Sequence, residues 1–185
     1  MKEGATYKMG QSFIEDLNAI SQRLVSLLIN KSLKIATAES CTGGLISQKI
    51  TDIPGASKIF ECGICSYSDN IKRNVLRVNS ETLEKYSAVS HQTALEMANN
   101  IKYIANADIG ISTTGYAGPK QSNPNETVGM VFIGIVYKKF SSTFEFNLTK
   151  EIKNLPEDKI RDYIRKKISA EALLLAIKAT LDDKI

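Results

Sequence analysis

The chain has 185 residues, of which 43% are hydrophobic and 24% are charged, as expected for one globular domain with a sizeable core. Its net charge is only +4, and much of it lies in "RDYIRKK", so a solvated helix face explains the charge better than a nucleic-acid surface. No apolar run approaches the roughly 20 residues of a membrane span, and the N-terminus lacks the apolar core of a secretory signal, which predicts a cytoplasmic protein.

Apolar residues at helical spacing predict six helical segments. In chain order these are 13–29, 43–50, 69–76, 80–86, 90–107 and 156–181. Asp69 and Ser80 are the predicted N-caps of the third and fourth helices. "IPGASKIF" predicts a turn and about one helical turn. The inward face of the fifth helix is predicted to be Ala94, Met97, Ala98, Ile101 and Ile104.

Five apolar or alternating segments predict strands, and they are 33–38, 61–67, 108–114, 128–137 and 140–148. Helices separate the first three strands, so these should be parallel, while the tight Lys138-Lys139 turn makes the last two an antiparallel hairpin. The prediction is an α/β fold whose mixed sheet of about five strands carries helices on both faces. Residues 1–185 should form a single domain, with 1–10 as a flexible N-terminal extension.

Three loops should meet at one edge of this sheet, because ligands bind beyond the carboxyl ends of parallel strands. The loops are "AESCTGG", "SYSDNIK" and "TTGYAGP". Their polar side chains are those of Ser40, Thr42, Tyr67, Ser68, Lys72 and Thr114, accompanied by several glycines. Any chemistry should therefore take place at this edge.

Ser40 is the first candidate residue. Gly43 and Gly44 let the backbone approach a ligand, and the helix that follows offers free N–H groups and a partial positive charge. Those groups could stabilise an oxyanion or bind a phosphate, which would suit a serine nucleophile. The alternative is that Ser40 or Thr42 merely caps the helix.

A serine nucleophile needs a base. The only histidine, His91, follows Ser90 at the start of a predicted helix and should be exposed, which disfavours a Ser-His-Asp triad. Lys72 is a better candidate, because it is predicted in the first turn of the helix after the second strand. There the helix dipole and partial burial would both lower its pKa toward the working range of a base. The alternative is a solvated surface lysine. Tyr67 could orient the base, stack on a ring or be an ordinary core residue.

No metal site is expected. Cys62 and Cys65 form a C-x-x-C spacing, but on a strand alternation puts them on opposite faces. No second Cys or His pair completes a ligand set, and a reducing compartment would keep the thiols free. "TTGYAGP" is a weak signal by itself, because it completes neither a P-loop nor a dinucleotide fingerprint.

The combination of motifs resembles a known family. "TAESCTGGLISQKITDIPGAS", "YSDNIKRNVLRV", "ETLEKYSAVS", "TTGYAGP" and "VGMVFIGIV" resemble the C-terminal domain of the competence/damage-inducible protein CinA, a family that includes stand-alone nicotinamide-mononucleotide amidases (PncC). The resemblance runs from about Ile35 to Val136, with a weaker continuation into the last helix. It implies a three-layer α/β/α sandwich with a mixed, mostly parallel sheet, and hydrolysis of the nicotinamide carboxamide to release ammonia without a cofactor.

The resemblance also implies residue roles. The family's catalytic serine falls on Ser40, its lysine on Lys72 and the tyrosine of the same motif on Tyr67. An arginine near the start of the last helix falls on Arg161, which keeps the family's spacing of four to Arg165. The implied substrate-binding positions are Cys41, Thr42, Gly43, Gly44, Thr114, Gly115 and Arg161. Two segments depart from the family pattern: "KQSNPNET" replaces glycines after "AGP", and Lys159-Ile160 replace Gly-Asp before Arg161.

The expected partners are a small pyridine nucleotide and a second copy of the chain in a homodimer, with neither membrane nor nucleic acid involved. Three alternatives remain open. One is a non-catalytic nucleotide- or partner-binding module of the same fold, and another is an amidase for a related pyridine compound. The third is a partner-binding role in DNA uptake or damage response, for which the sequence shows no nucleic-acid motif.

Overall fold

The computed structural model describes residues 12–121 and 123–181, so the predicted N-terminal extension 1–10 lies outside the described residues. The helices are α1 Ser12–Lys31, α2 Leu45–Thr51, α3 Asp69–Asn74, α4 Ser80–Tyr86, α5 His91–Ile104, α6 Thr149–Ile152 and α7 Glu157–Leu181. The strands are β1 Ile35–Glu39, β2 Phe60–Cys65, β3 Ile109–Gly115, β4 Met130–Tyr137 and β5 Phe140–Asn147. A 3-10 turn at Ala56–Lys58 occupies the segment for which the sequence predicts a short helical turn.

The five strands form one mixed sheet in the order β2-β1-β3-β4-β5. β1 pairs in parallel with β2 and β3, whereas β3–β4 and β4–β5 are antiparallel. Only β4 therefore runs against the other strands, which confirms the predicted mixed, mostly parallel sheet. The carboxyl ends of β1, β2 and β3 lie at the same edge, where a ligand site is expected.

Helices cover both faces of the sheet. Neighbouring residues of a strand point to opposite faces, so apolar residues of β1 contribute to a core on each side. Ile35 of β1 belongs to the larger apolar cluster, together with residues of α1, α2 and α7. Ala36 and Ala38 belong to a second cluster with Met97 of α5. These two layers on one sheet confirm the α/β/α architecture. No helix within 12–121 and 123–181 is long and apolar enough to cross a membrane.

α5 lies close against β3 and β4, because two glycines leave room for its backbone. A Cβ at Gly110 would collide with the Ala98 carbonyl oxygen, and a Cβ at Gly134 would lie 2.5 Å from the Ala94 oxygen. The Ser112 hydroxyl donates to the same Ala94 oxygen at 2.5 Å. This packing brings the loop that precedes α5 to the carboxyl end of β3.

Four local predictions differ from the structure. Ser68, and not Asp69, caps α3, and Asn79, and not Ser80, caps α4. In both cases the capping residue is extended and its side-chain oxygen accepts a backbone N–H, while the predicted cap is already helical. Ile104, the last residue of α5, is 39% exposed and does not face inward. α6 has no counterpart among the predicted helices, because it is only one turn long.

Candidate active site

Ser40 directly follows β1 and is buried, with 9% of its surface exposed. Its backbone N–H donates to the Thr113 carbonyl oxygen of β3 at 2.9 Å, and its own carbonyl accepts the Gly43 N–H at 3.2 Å. Gly43 and Gly44 have φ values of 60° and 89°, in the left-handed region that favours glycine. The chain can therefore turn sharply from β1 into α2 with Ser40 at the start of the turn.

The alternative interpretation, that Ser40 or Thr42 merely caps α2, is wrong, because neither side chain caps this helix. The N-cap is Gly44, which has no side chain to offer. The N–H groups of Ile46 and Ser47 donate instead to the carboxylate of Glu39, at 3.1 and 2.8 Å. The free N–H groups that the sequence predicts at this helix are thus occupied by the chain's own carboxylate.

Lys72 reaches Ser40 from α3. Its side chain is 3% exposed, and its Nζ donates to Ser40 Oγ at 3.4 Å. Asp69 Oδ1 lies 3.6 Å from the same Nζ. The surface-lysine alternative is therefore wrong, and the structure brings together the predicted nucleophile and the predicted base.

Burial lowers the pKa of the Lys72 ammonium below its ordinary value, and the charge and hydrogen bond of Asp69 oppose this shift. The direction agrees with the prediction, but the position on the helix does not. Lys72 lies in the last turn of the six-residue α3, away from its N-terminus. Loss of hydration on burial is the main cause of the lowered pKa.

Tyr67 is 66% exposed, so it is not a core residue. Its hydroxyl oxygen accepts a hydrogen bond from Arg161 Nη2 at 2.9 Å. Arg161 Nη1 donates to the Gly118 carbonyl oxygen at 2.8 Å. One guanidinium thus joins α7 to the loop after β2 and to the loop after β3. The sequence prediction that these loops converge is confirmed by this contact.

Arg165 lies one helical turn after Arg161, on the same face of α7. Its Nε donates to the Thr42 carbonyl oxygen at 2.9 Å. Its Nη2 would lie 3.5 Å from a Cβ added at Gly43. In the sequence, Arg165 enters only through its spacing of four from Arg161, yet the structure places this cation directly against the Ser40 turn.

Two further predicted site residues have buried side chains. Thr114 is 1% exposed, and its hydroxyl donates to the Ala88 carbonyl oxygen at 2.6 Å, in the loop between α4 and α5. Burial raises the pKa of the Cys41 thiol to about 12. Cys41 therefore stays protonated, and a thiolate nucleophile beside Ser40 is disfavoured.

Gly115 ends β3, where a Cβ would lie 2.6 Å from the Met130 carbonyl oxygen.

His91 is exposed, as predicted, and faces β5. Its Nδ1 lies 2.8 Å from Thr143 Oγ1 and its Nε2 lies 3.4 Å from Glu145 Oε2. Cys62 and Cys65 alternate in exposure along β2, in agreement with opposite faces. Among the described residues, no group of three or more His, Cys, Asp or Glu side chains could hold a metal ion.

Comparison with protein families gives a match over most of the chain. The sequence pattern of the CinA C-terminal domain family matches residues 17–179. A competence-damage inducible protein of Thermoanaerobacter pseudethanolicus is 51% identical over 119 residues, which are 64% of this chain and 29% of that protein. The relative from Acetivibrio thermocellus is 43% identical over 159 residues, which are 82% of this chain and 38% of that protein. The chain spans about a third of the length of these curated relatives.

Solved structures match over nearly their whole length. The competence/damage inducible protein CihA from Agrobacterium tumefaciens superposes with a TM-score of 0.80 at 30% identity, covering 94% of this chain and 98% of that one. The competence damage-inducible protein A (ComA) from Klebsiella pneumoniae gives a TM-score of 0.81 at 27% identity, covering 91% and 99%. Both comparisons support the fold described above.

Proposed function

The chain belongs to the CinA C-terminal domain family, and from this premise we propose that it is an amidohydrolase that converts nicotinamide mononucleotide to nicotinic acid mononucleotide and ammonia. The observation that carries the proposal is the buried Lys72 Nζ at 3.4 Å from Ser40 Oγ, at the carboxyl ends of the parallel strands. Nucleophile and base are within reach of each other in a site where burial favours the neutral amine.

The reaction begins with neutral Lys72, which takes the Ser40 proton as the oxygen attacks the carboxamide carbon. A contact of 3.4 Å is long for a hydrogen bond and should shorten when substrate is bound. The C–N bond of the carboxamide then breaks, Lys72 returns its proton to the departing nitrogen, and ammonia leaves. Water hydrolyses the Ser40 ester, which releases the carboxylate and restores both side chains.

The oxyanion of the tetrahedral intermediate needs hydrogen-bond donors. Because the α2 N–H groups of Ile46 and Ser47 are bound to Glu39, they are not available for this role. The Gly43 N–H donates to the Ser40 carbonyl and is also engaged. We therefore assign the oxyanion to the backbone N–H groups of Cys41 and Thr42, which follow Ser40 in the same turn.

The 5′-phosphate of the substrate is assigned to Arg161. Two of its five donor N–H groups are used by Tyr67 and Gly118, so it can still offer donors to a phosphate. Its position beside two of the three site loops would let phosphate binding orient the carboxamide against Ser40. A homodimer remains a proposal as well, supported by the family resemblance and testable by sedimentation.

The direct test is to incubate the purified protein with nicotinamide mononucleotide and to measure ammonia, with Ser40→Ala as the inactive control. Release of ammonia that requires Ser40 would support the proposal. Nucleotide binding without ammonia would favour the non-catalytic module instead. Release of ammonia from another pyridine carboxamide, but not from the nucleotide, would retain the amidase and reject this substrate.

A further inference from the structure

We propose that Glu39 is a positioning residue for Ser40, because its carboxylate holds together the turn on which the nucleophile lies. Glu39 is the last residue of β1, is fully buried, and takes no part in the steps assigned to Ser40 and Lys72. This inference rests on the proposed function, since it takes Ser40 to be the nucleophile.

The Glu39 carboxylate accepts four hydrogen bonds. Oε2 accepts the Thr42 hydroxyl at 2.8 Å and the Ile46 N–H at 3.1 Å. Oε1 accepts the Ser47 N–H at 2.8 Å and the Ser47 hydroxyl at 2.6 Å. Thr42 lies two residues beyond Ser40, and the other donors lie in the first turn of α2. One side chain thus connects both ends of the turn to the strand that precedes it.

The direction of each proton in this network follows from counting donors. Thr42 and Ser47 give their single hydroxyl protons to Glu39, so their contacts with other hydroxyls must be accepted ones. Thr113 therefore donates to Thr42 at 2.7 Å, and Thr37 donates to Ser47 at 2.7 Å. Every proton in the network points toward Glu39, which suits a carboxylate because it accepts on both oxygens.

A glutamine of the same size cannot replace this carboxylate. Whichever way its amide is turned, the NH₂ group faces a backbone N–H, that of Ile46 at one position or that of Ser47 at the other. A hydroxyl can rotate away from a second donor, but a backbone N–H cannot. Glu39→Gln should therefore release one side of the turn without changing the volume of the side chain.

In Glu39→Gln we expect Ser40 to be misaligned, while its hydroxyl and the Lys72 base both remain. A misplacement of about 1 Å can cost roughly a hundredfold in rate. The Ser40 backbone keeps its bonds to Thr113 and Gly43, so the turn should loosen without disappearing. Substrate binding, which we assign mainly to Arg161, should be less affected.

Glu96 provides a matched control. Its carboxylate also accepts a backbone N–H and a threonine hydroxyl, from Asn79 at 2.8 Å and from Thr82 at 2.5 Å. It holds the start of α4 and has no contact with the Ser40 turn among its hydrogen bonds in the described residues. A glutamine at 96 can turn its amide oxygen toward the Asn79 N–H and its NH₂ toward the Thr82 hydroxyl, which can rotate to accept it. Glu96→Gln therefore controls for the exchange of a hydrogen-bonded carboxylate for an amide at a site outside the Ser40 turn.

The experiment compares the parent, Glu39→Gln and Glu96→Gln in the full chain. Labelling of Ser40 by a fluorophosphonate, followed by mass spectrometry, reports the nucleophile without using the natural substrate. We expect Glu39→Gln to slow labelling by about 10- to 100-fold and to lower kcat by a similar factor, with KM within about threefold. Amide exchange should accelerate across 41–47. Glu96→Gln should label within about twofold of the parent.

Parental labelling, an unchanged kcat or unchanged exchange across 41–47 in Glu39→Gln would overturn the positioning role. So would equal losses in the two variants, which would reveal a merely structural effect. If the parent is labelled but releases no ammonia, only the proposed substrate fails and the labelling ratio still decides the role of Glu39. If Ser40 in the parent is never labelled and no ammonia is released, both proposals fall.

A second variant keeps the test decisive if Glu39→Gln does not fold. Thr113→Val removes the hydroxyl that donates to Thr42 and leaves the Glu39 carboxylate in place. We expect labelling to slow by about threefold or more, because the Thr42 side of the turn loses one support. Labelling of Thr113→Val at the parental rate would then overturn the role of this network.

Discussion

The two sides of Ser40 differ in how completely their buried charges are satisfied. On the α2 side, the Glu39 carboxylate accepts four hydrogen bonds of 2.6 to 3.1 Å. On the α3 side, the buried Lys72 ammonium has two longer contacts, at 3.4 Å to Ser40 and 3.6 Å to Asp69. A carboxylate with four hydrogen bonds stabilises a fixed geometry, whereas an amine with two long contacts can still accept and return a proton. The difference between a positioning carboxylate and a proton-transferring amine can be tested by substitution.

The largest effect is expected for Ser40→Ala. Activity should fall by several orders of magnitude, because the covalent route disappears, while the melting temperature should stay near that of the parent. Ammonia release and thermal unfolding measure the two quantities. Ser57→Ala, at an exposed serine, is the control and should keep parental activity. Parental activity in Ser40→Ala would remove this residue from the mechanism.

Lys72→Arg should be nearly as damaging as Lys72→Ala. Arginine keeps the cation but cannot supply a neutral amine, because it stays protonated at any working pH. The comparison of kcat for the two variants checks this. An active arginine variant would show that Lys72 acts as an electrostatic anchor and that another group is the base.

Arg161→Ala should weaken use of the nucleotide by about tenfold to a hundredfold, since a charge-assisted hydrogen bond contributes about 1.5–3 kcal/mol. Use of the phosphate-free riboside should fall much less. The ratio of kcat/KM for the two substrates is the measurement, and the exposed Lys159→Ala is the control on the same helix. Equal losses on both substrates would rule out Arg161 as the phosphate ligand, and no loss on either would leave it only the structural role of joining α7 to Tyr67 and Gly118.

Lys72→Met should stabilise the protein at neutral pH while it abolishes activity. Burial lowers the pKa of Lys72 in the folded state, so below its ordinary value of 10.5 the unfolded chain binds this proton more tightly. The folded state therefore loses stability at neutral pH, and this loss disappears as pH rises past the pKa of Lys72 in the unfolded chain. Chemical unfolding should show a gain of about 0.5–2 kcal/mol at pH 7 that shrinks toward pH 10.5. If Lys72→Met is less stable than the parent at pH 7, the buried Lys72 ammonium does not destabilise the fold.

The smallest effect is expected for Asp69→Asn. Asp69 raises the pKa of Lys72, so its removal should lower that pKa further and make the neutral amine available at lower pH. The acidic limb of the kcat/KM profile should shift to lower pH. Asp162→Asn, on α7, should leave the limb in place. A shift toward higher pH would reverse the assigned sign of the interaction.

Local signals predicted much of the site. The apolar spacing and turn residues located the strands and the long helices, and parallel topology then required the loops that carry Ser40, Lys72 and Tyr67 to share an edge. Residues that act through side-chain contacts are harder to find. The sequence predicts Glu39 as part of the loop "AESCTGG", and its hydrogen bonds with Thr42, Ile46 and Ser47 form only once α2 has folded back beside the end of β1. Arg165 contacts Thr42 across 123 positions of sequence, and no local pattern reports such a contact.

By itself the sequence determined the α/β class, the order of the elements and the edge of the sheet at which the candidate site lies, because these depend on hydrophobic periodicity and turn residues. Only the tertiary structure decided the state of the charged side chains. From the sequence alone, Lys72 could be a solvated surface lysine or a buried base, and its 3% exposure and its contact with Ser40 in the folded chain decide for burial. The pKa of an amine and the satisfaction of a carboxylate depend on all the groups around them, and folding is what brings those groups together.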